Sequence, residues 1–519
     1  MATNTVNLDA MIVRSDFASD DTSGSAAQAS ESFEKIALKD LVGDGAWLPK
    51  LLRKPDFQRE TTQWKPSQIG MLVESFLDGE LIPAVILWKS ATHIFVIDGG
   101  HRLSALLAWA QDDYGDGPRS HTFFKGELTA AQRRLAKKAR DEVEKKVGTF
   151  QHFQAKLASD ADDATSDPRV MNFATRGLQV QWIVGDADKA ESSFFNINTQ
   201  GSVLDPVETK ILKHRRKAPA IAARSVVRAA TGHKYWSKFD ADAQDKISSK
   251  ARTLHQALFA PEVATPLKTI DLPLGGTTSV TSALDMLIAL AELADGDNRA
   301  LENFEADQSG EETLQVLEDL ERVVTRMIGT RPRSLGLHPF VYFYTSKGRH
   351  YPPLMLALFS IIAGKVKDND SGWFKKFTER RATLERLLIE HKGILTLLIS
   401  ALGSKQRVDG GIAALNYLFE KSDDPSVQIT PNDFAEILRL ESRLYTIQSR
   451  PGANFTDDAK SSAFLRESLK QALKCPLCGG YLDPAKSTSY DHIVRKADGG
   501  LGTDDNCQMT HPYCNSLKG

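Results

Sequence analysis

Hydrophobic and polar positions recur with different periods along the 519 residues, and the changes of period divide the chain. After Ser67 the apolar residues Ile69, Leu72, Val73, Phe76 and Leu77 return at helical spacing, and Gly79 closes that helix. Pro83 to Trp88 and His93 to Ile97 are dense in Val, Ile and Phe, which predicts two short strands. The second strand runs directly into Asp98-Gly99-Gly100-His101-Arg102, and Leu103, Leu106, Leu107 and Ala110 then line one side of a new helix. Asp98 to Arg102 is therefore expected on a strand-to-helix turn, where backbone N–H groups at a helix start can hold an anion. Thr129 to Lys146 predicts a charged helix with a solvated surface, residues 159–169 a loop, and Gln179 to Val184 a strand. Asp205 as N-cap, Pro206 at the first helical position and Glu208 reaching back predict a further helix start.

From about 250 to 450 the pattern is mostly helical, over Leu314–Met327, Leu354–Val366, Ala382–His391, Ile394–Leu402 and Asp433–Tyr445, without a fixed-period repeat. Arg450-Pro451-Gly452 and Asp457-Asp458 mark a boundary, and a last helix, about Lys460 to Leu473, leads into the C-terminal stretch. Residues 1–33 are rich in Ser, Ala, Asp and Thr and read as a flexible arm. The pattern thus predicts a multidomain α+β chain: an arm (1–33), an α/β domain (34–220), a helical domain (221–455) and a small C-terminal module (456–519). The most apolar run, Leu354 to Ala363, is well short of the roughly 18 residues that cross a bilayer. With no basic-then-apolar leader, a soluble cytoplasmic protein with no membrane partner is expected.

A net charge of −2 hides strong local asymmetry. Residues 206–252 carry 12 Lys/Arg against 4 Asp/Glu, and residues 285–322 carry 12 acids against 2 bases. The basic segment can face nucleic-acid phosphates or pair with the acidic segment inside the protein, and the sequence leaves both open.

All 4 cysteines lie at or beyond position 475, which argues for metal chemistry in a reducing compartment and against a disulfide framework. Cys475-x2-Cys478 and His511-x2-Cys514 are two ligand pairs at matching spacing, and three sulfurs with one nitrogen make a closed structural zinc site. Such a site stabilises a module too small to do so with its own core. Cys507 is left over and is expected as a small buried residue. Between the pairs stands Asp491-His492, which a purely structural zinc module does not need. A histidine can deprotonate an attacking water, and a neighbouring carboxylate can hold a divalent ion against a phosphate. Asn515, just past the second pair, can add an amide oxygen to that ion.

The order C-x2-C, D-H-I, G-G, N, H-x2-C-N and K-G resembles HNH endonucleases of the ββα-metal type over residues 475–519. The resemblance implies His492 as general base, Asp491 and Asn515 as holders of Mg²⁺ or Mn²⁺, and Asn506 as the residue that orients the loop carrying His492. The third family position is Asn, and His511 stands where many members have Cys. The module itself has 4 Lys/Arg against 5 Asp/Glu, so its affinity for DNA has to come from elsewhere in the chain.

Three upstream segments, P-D-F-Q-R-E-T-T-Q-W (55–64), D-G-G-H-R (98–102) and F-F-N-I-N-T-Q-G-S-V-L-D-P-V-E (194–208), resemble in their order the GmrS-type domain. That domain has a ParB/sulfiredoxin-like fold and occurs in restriction and phage-defence proteins such as GmrSD and SspE. The resemblance implies nucleotide binding or hydrolysis, with GTP or another nucleoside triphosphate, and sensing of modified DNA. The residues carried over are Arg59, Trp64, Asp98, Gly99, Arg102, Asn196, Asn198, Thr199 and Gly201; Gly100 and His101 replace the two glutamines of the family signature, and His101 can still donate to phosphate.

Both motif sets in one chain point to a restriction-like DNA endonuclease of anti-phage defence, acting on double-stranded phage or modified DNA under nucleotide control. The alternatives are a non-catalytic DNA-binding protein with a structural zinc tail, and an HNH nuclease without nucleotide control. Homo-oligomerisation stays open.

Overall fold

The computed structural model describes residues 5–15, 17, 33–43, 45–56, 64–126, 128–159, 166–200, 205–231, 233–440 and 454–518. They divide into two compact units, Ala2–Arg215 with Thr231–Tyr235, and Arg216–Ala230 with Trp236–Gly519.

The first unit is built on a six-stranded sheet in the order β1-β3-β5-β4-β6-β2. Its strands are β1 (Arg14–Ser15), β2 (Lys35–Ala37), β3 (Leu52–Pro55), β4 (Val85–Lys89), β5 (Ile94–Asp98) and β6 (Gly177–Ile183). β5 lies inside the sheet, parallel to β3 and antiparallel to β4, and Phe95, Val96 and Ile97 are all fully buried. That continuous apolar run is what a strand covered on both faces requires. The Pro66–Leu77 helix packs on the Ala130–Lys146 helix, which shows the core Ala136, Ala139 and Val143. The charged helix expected to lie in solvent therefore has one apolar stripe, and Lys146 adds an ion pair to Glu74 at 2.9 Å.

The expected arm does not hold for residues 5–15. Val6, Leu8, Met11 and Ile12 are buried at 1% exposure or less, and β1 pairs with β3, Arg14 opposite Lys54. Residues 18–32 of that stretch lie outside the described residues.

The second unit is helical and contains the C-terminal module. The expected helices 382–391 and 394–402 are one helix, Ser371–Ala401. Lys392 and Gly393 do not interrupt it because the buried Lys392 ammonium is satisfied by the carbonyls of Phe340 and Val341 (2.8 Å to the latter). Burial pushes the Lys392 amine down to about 7. The helix expected over Asp433–Tyr445 spans Pro431–Ile437; Arg439 takes a φ of +55°, and residues 441–445 lie outside the described residues. The apolar run 354–363 lies in the Pro352–Lys367 helix, with Leu354, Met355, Leu358, Phe359 and Ile362 buried. Among the described residues no helix is long and apolar enough to cross a membrane.

Part of the basic segment meets the acidic one. The Ala241–Phe259 helix packs on Glu311–Met327, where Lys250 pairs with Glu321 (3.1 Å) and Glu318 (3.4 Å). Lys217 donates to the Glu302 carbonyl at 2.6 Å.

Residues 456–519 are built into this helical unit. Leu267 N–H donates to Ser461 Oγ (3.0 Å), Gly329 N–H to Ser487 Oγ (2.9 Å), and Tyr513 N–H to the Ser334 carbonyl (3.0 Å). Lys486 pairs with Asp271, and Arg349 with Asp458 at 2.8 Å.

Candidate functional site

The C-terminal stretch folds as a hairpin followed by a helix. β7 (Ser489–His492) pairs antiparallel with β8 (Cys507–Thr510), with Asp491 opposite Gln508 and His492 opposite Cys507, and the Pro512–Lys518 helix follows. Upstream, Cys475 to Gly480 form a tight knuckle: Cys475 N–H donates to the Gly480 carbonyl, and Gly479 N–H to the Cys475 carbonyl, both at 2.8 Å. Gly479 takes a φ of +72°, which favours glycine there.

The knuckle brings Cys475 and Cys478 to His511 and Cys514, with all four ligand atoms within 4.8 Å of one another. His511 Nδ1 lies 3.3 Å from Cys478 Sγ and 3.8 Å from Cys514 Sγ. Its Nε2 donates to the Tyr481 carbonyl at 2.9 Å, leaving Nδ1 to face the sulfurs, the orienting contact expected of a ligating histidine. The three thiols crowd one another: hydrogen bonds from Cys478 and Cys514 hold Cys475 well below the usual thiol range, and hydrogen bonding to Cys475 pushes the other two up. A cation relieves that conflict. Donor set, spacing and burial fit tetrahedral Zn²⁺.

Behind the knuckle lies a buried ion pair. Arg381 Nε bonds Glu385 Oε1 at 2.7 Å, with both side chains at 2% exposure or less. Glu385 Oε1 also accepts from the Tyr342 hydroxyl (2.8 Å), and Oε2 accepts from Tyr481 N–H (2.7 Å). Arg381 in turn donates to the carbonyls of Leu335 and Gly336.

On the hairpin, Asp491 Oδ2 accepts from Gln508 Nε2 (2.7 Å) and Lys518 Nζ (2.8 Å). Burial works to raise the Asp491 carboxyl, but these bonds overcome it and hold it below the usual carboxylate range. Lys518 also donates to the carbonyls of His492 and Ile493. Asn515 Nδ2 donates to Ser489 Oγ (2.7 Å) and to the Tyr490 carbonyl (3.1 Å), which ties the helix to β7. Asn506 clamps the chain just past His492: its Oδ1 accepts from Val494 N–H (2.7 Å), and its Nδ2 donates to the carbonyls of Val494 (3.1 Å) and Leu501 (2.8 Å). The His492 ring is half-buried and has no hydrogen-bond partner among the described residues. Cys507 corrects an expectation: it is exposed, on the strand away from the ligand cluster.

In the first unit, β5 ends at Asp98 and the next helix begins at Gly100. Gly99 has a φ of +94°, and a Cβ there would meet Val85 Cγ2 at 3.0 Å. Arg102 closes the turn, bonding Asp98 Oδ2 at 2.7 Å and the Ala84 carbonyl at 3.0 Å. Both bonds use Nη2, and the buried Nε has no hydrogen-bond partner among the described residues. Trp64 stacks on His101, centroids 5.6 Å apart and planes 20° from parallel. Asn196, Asn198 and Thr199 lie on the Ala187–Gln200 helix. Arg59 and Gly201, and the side chains of Asn198 and Thr199, lie outside the described residues.

Residues 38–215 match the family model of the GmrSD restriction endonuclease N-terminal domain, and residues 475–519 match that of the HNH endonucleases. The chain has a GmrSD-like two-domain architecture. No curated protein and no solved structure matches it significantly. The GmrSD-type and HNH domains together support a restriction-like nuclease, in which the HNH domain hydrolyses phosphodiester bonds of DNA.

Within the HNH domain, sequence reasoning missed two partners of Asp491. Lys518 was signalled by its place three residues after Asn515, on the same helix face. Gln508 had only strand pairing to reveal it. The buried Arg381–Glu385 support, about a hundred residues upstream, had no local signal.

Proposed function

We propose that the chain is a divalent-metal-dependent endonuclease of anti-phage defence, cutting foreign double-stranded DNA with its HNH domain under control of nucleotide bound to its GmrSD-type domain. The observation that carries the reading is the joint location of Asp491, His492 and Asn515 on one hairpin-and-helix unit beside a Cys3His cluster. Asp491 and Asn515 would hold Mg²⁺ or Mn²⁺, which when bound draws negative charge from the scissile phosphate and the leaving oxygen.

The chain's own residues supply the rest. His492, whose ring has no partner among the described residues, accepts the proton of the attacking water. Asn506 fixes the backbone at Val494 and so limits how far the His492 segment can shift. Gln508 and Lys518 keep Asp491 ionised. Asn515 is aimed by its amide bonds to β7. Zinc at Cys475, Cys478, His511 and Cys514 holds the knuckle and the helix together. In the GmrSD-type domain, the Asp98–Arg102 turn and the Trp64–His101 stack are the candidate nucleotide contacts.

The test is cleavage of supercoiled plasmid and of modified and unmodified phage DNA with Mg²⁺, with and without GTP, ATP, CTP or UTP. The parent should cut and His492→Ala should not; equal cutting by both would remove the assigned active site. Titration calorimetry of each nucleotide on the parent and on Arg102→Ala tests the control step separately.

A further inference from the structure

The HNH domain carries no excess of basic residues, so its substrate has to be gripped elsewhere. Within the same unit lies a cleft of about 710 Å³ between the C-terminal half of the Glu311–Met327 helix, the 331–333 loop and Lys250. Its charged lining is five cations, Lys250, Arg322, Arg326, Arg331 and Arg333, against Glu318 and Glu321. The two acids are already engaged: Lys250 takes both, and Arg331 reaches Glu321 at 3.5 Å. Arg326 and Arg333 have no carboxylate partner among the described residues. Arg326 is half-buried, with its guanidinium 4.3 Å from the Phe374 ring centre and donating to the Arg333 carbonyl at 2.8 Å. Two guanidiniums without a carboxylate partner lining one cleft leave a position for an anion.

The cleft adjoins the HNH domain. Arg326 also lies over the Tyr513 ring at 5.9 Å, and Tyr513 N–H is bonded to the Ser334 carbonyl beside Arg333. Tyr513 and Asn515 stand two positions apart on one helix, so they face nearly opposite sides. The cleft and the catalytic hairpin are thus separated by about one helix diameter, ~10–12 Å, a distance that a duplex backbone spans within a few nucleotides. Among the described residues no aromatic ring lines the cleft, and its apolar lining is Pro332 and Val366. It offers phosphate chemistry with no slot for a base, which favours a nucleic-acid backbone over a free nucleotide.

We propose that the cleft of Arg322, Arg326, Arg331 and Arg333 binds backbone phosphates of the DNA that the HNH domain cuts, a few nucleotides from the cleavage point. This rests on the nuclease reading above.

The test uses the full chain carrying His492→Ala, so that binding is read without cutting. Affinity for a duplex is measured against salt concentration, with and without the added changes Arg322→Ala, Arg331→Ala and Arg333→Ala. These exposed side chains can be removed without opening the core, and equal melting temperatures check that. Lys405→Ala is the control: it is exposed just past the far end of the Ser371–Ala401 helix, about 45 Å of helix from the cleft side. The triple change should weaken binding at least tenfold and flatten the slope of log K against log salt by about 2 to 3, whereas Lys405→Ala should change neither. Unchanged affinity and slope in the triple variant overturn the cleft while leaving the nuclease reading in place. If the His492→Ala chain binds no duplex at all, both fall. If the triple change instead abolishes calorimetric binding of GTP or ATP and spares DNA, the occupant is a free nucleotide and the proposal is wrong.

Discussion

Lys518, on the last helix, places its ammonium 2.8 Å from Asp491 Oδ2 on β7 and so closes the C-terminal helix onto the hairpin that carries His492. The Asp491 carboxyl is depressed in the folded state, so the stability it contributes is present above its ordinary value near 4 and is lost as pH falls through the depressed one. Lys518→Met should therefore cost about 1–2 kcal/mol at pH 7. The gap between variant and parent in urea unfolding should stay constant between pH 7 and pH 5 and narrow only below about 4. A gap already closing at pH 6 would assign the stabilisation to another group.

The Cys475–Gly480 knuckle rests on a buried ion pair, and breaking that pair should loosen a metal held by the cluster. Glu385→Ala leaves the Arg381 guanidinium buried with only carbonyl partners and removes the acceptor of Tyr481 N–H. Loss of one partner of such a pair costs about 3–5 kcal/mol. Denaturant unfolding should show that loss, and a chromogenic chelator should take zinc from the variant faster than from the parent. An unchanged midpoint with unchanged zinc release would mean that the pair is not coupled to the knuckle.

Cysteine accessibility offers a count. Cys507 is exposed, whereas Cys475, Cys478 and Cys514 lie in the ligand cluster. A maleimide should label the native, zinc-loaded chain at Cys507 alone and should reach all four thiols once a chelator has removed the metal. Labelling of more than one thiol before chelation would argue against a metal in the cluster.

The Cys3His cluster was legible because metal-type spacing is local: each pair lies within one knuckle or one helical turn. Strand pairing is not local, and Cys507 was misread for that reason; its apolar character suggested burial, but its place opposite His492 faces it outward. Lys392-Gly393 looked like a break between two helices. The carbonyls of Phe340 and Val341 that accept the lysine inside one continuous helix come from 51 and 52 residues upstream. Likewise Val6, Leu8, Met11 and Ile12 were hidden beside a polar low-complexity stretch, and only the pairing of β1 with β3 makes them core. Local chemistry survived in the sequence, and contacts between distant segments did not.

The clamp at Asn506 can be broken from either side, and that makes its role testable. Asn506→Asp replaces the amide donor by a carboxylate oxygen facing the carbonyls of Val494 and Leu501, so two attractions become repulsions. Gly500→Ala attacks the same clamp without touching Asn506, because a Cβ at Gly500 would lie 1.8 Å from the Val494 carbonyl oxygen and 2.9 Å from Asn506 Nδ2. The loop would have to move, and with it the backbone next to His492. Neither residue lies in the ligand cluster, so zinc content should stay at one per chain. Single-turnover cleavage should fall about a hundredfold in both variants, the scale on which a misplaced catalytic group slows its reaction. If Asn506→Asp slowed cleavage and Gly500→Ala did not, the asparagine would be acting on the substrate directly and not through the loop.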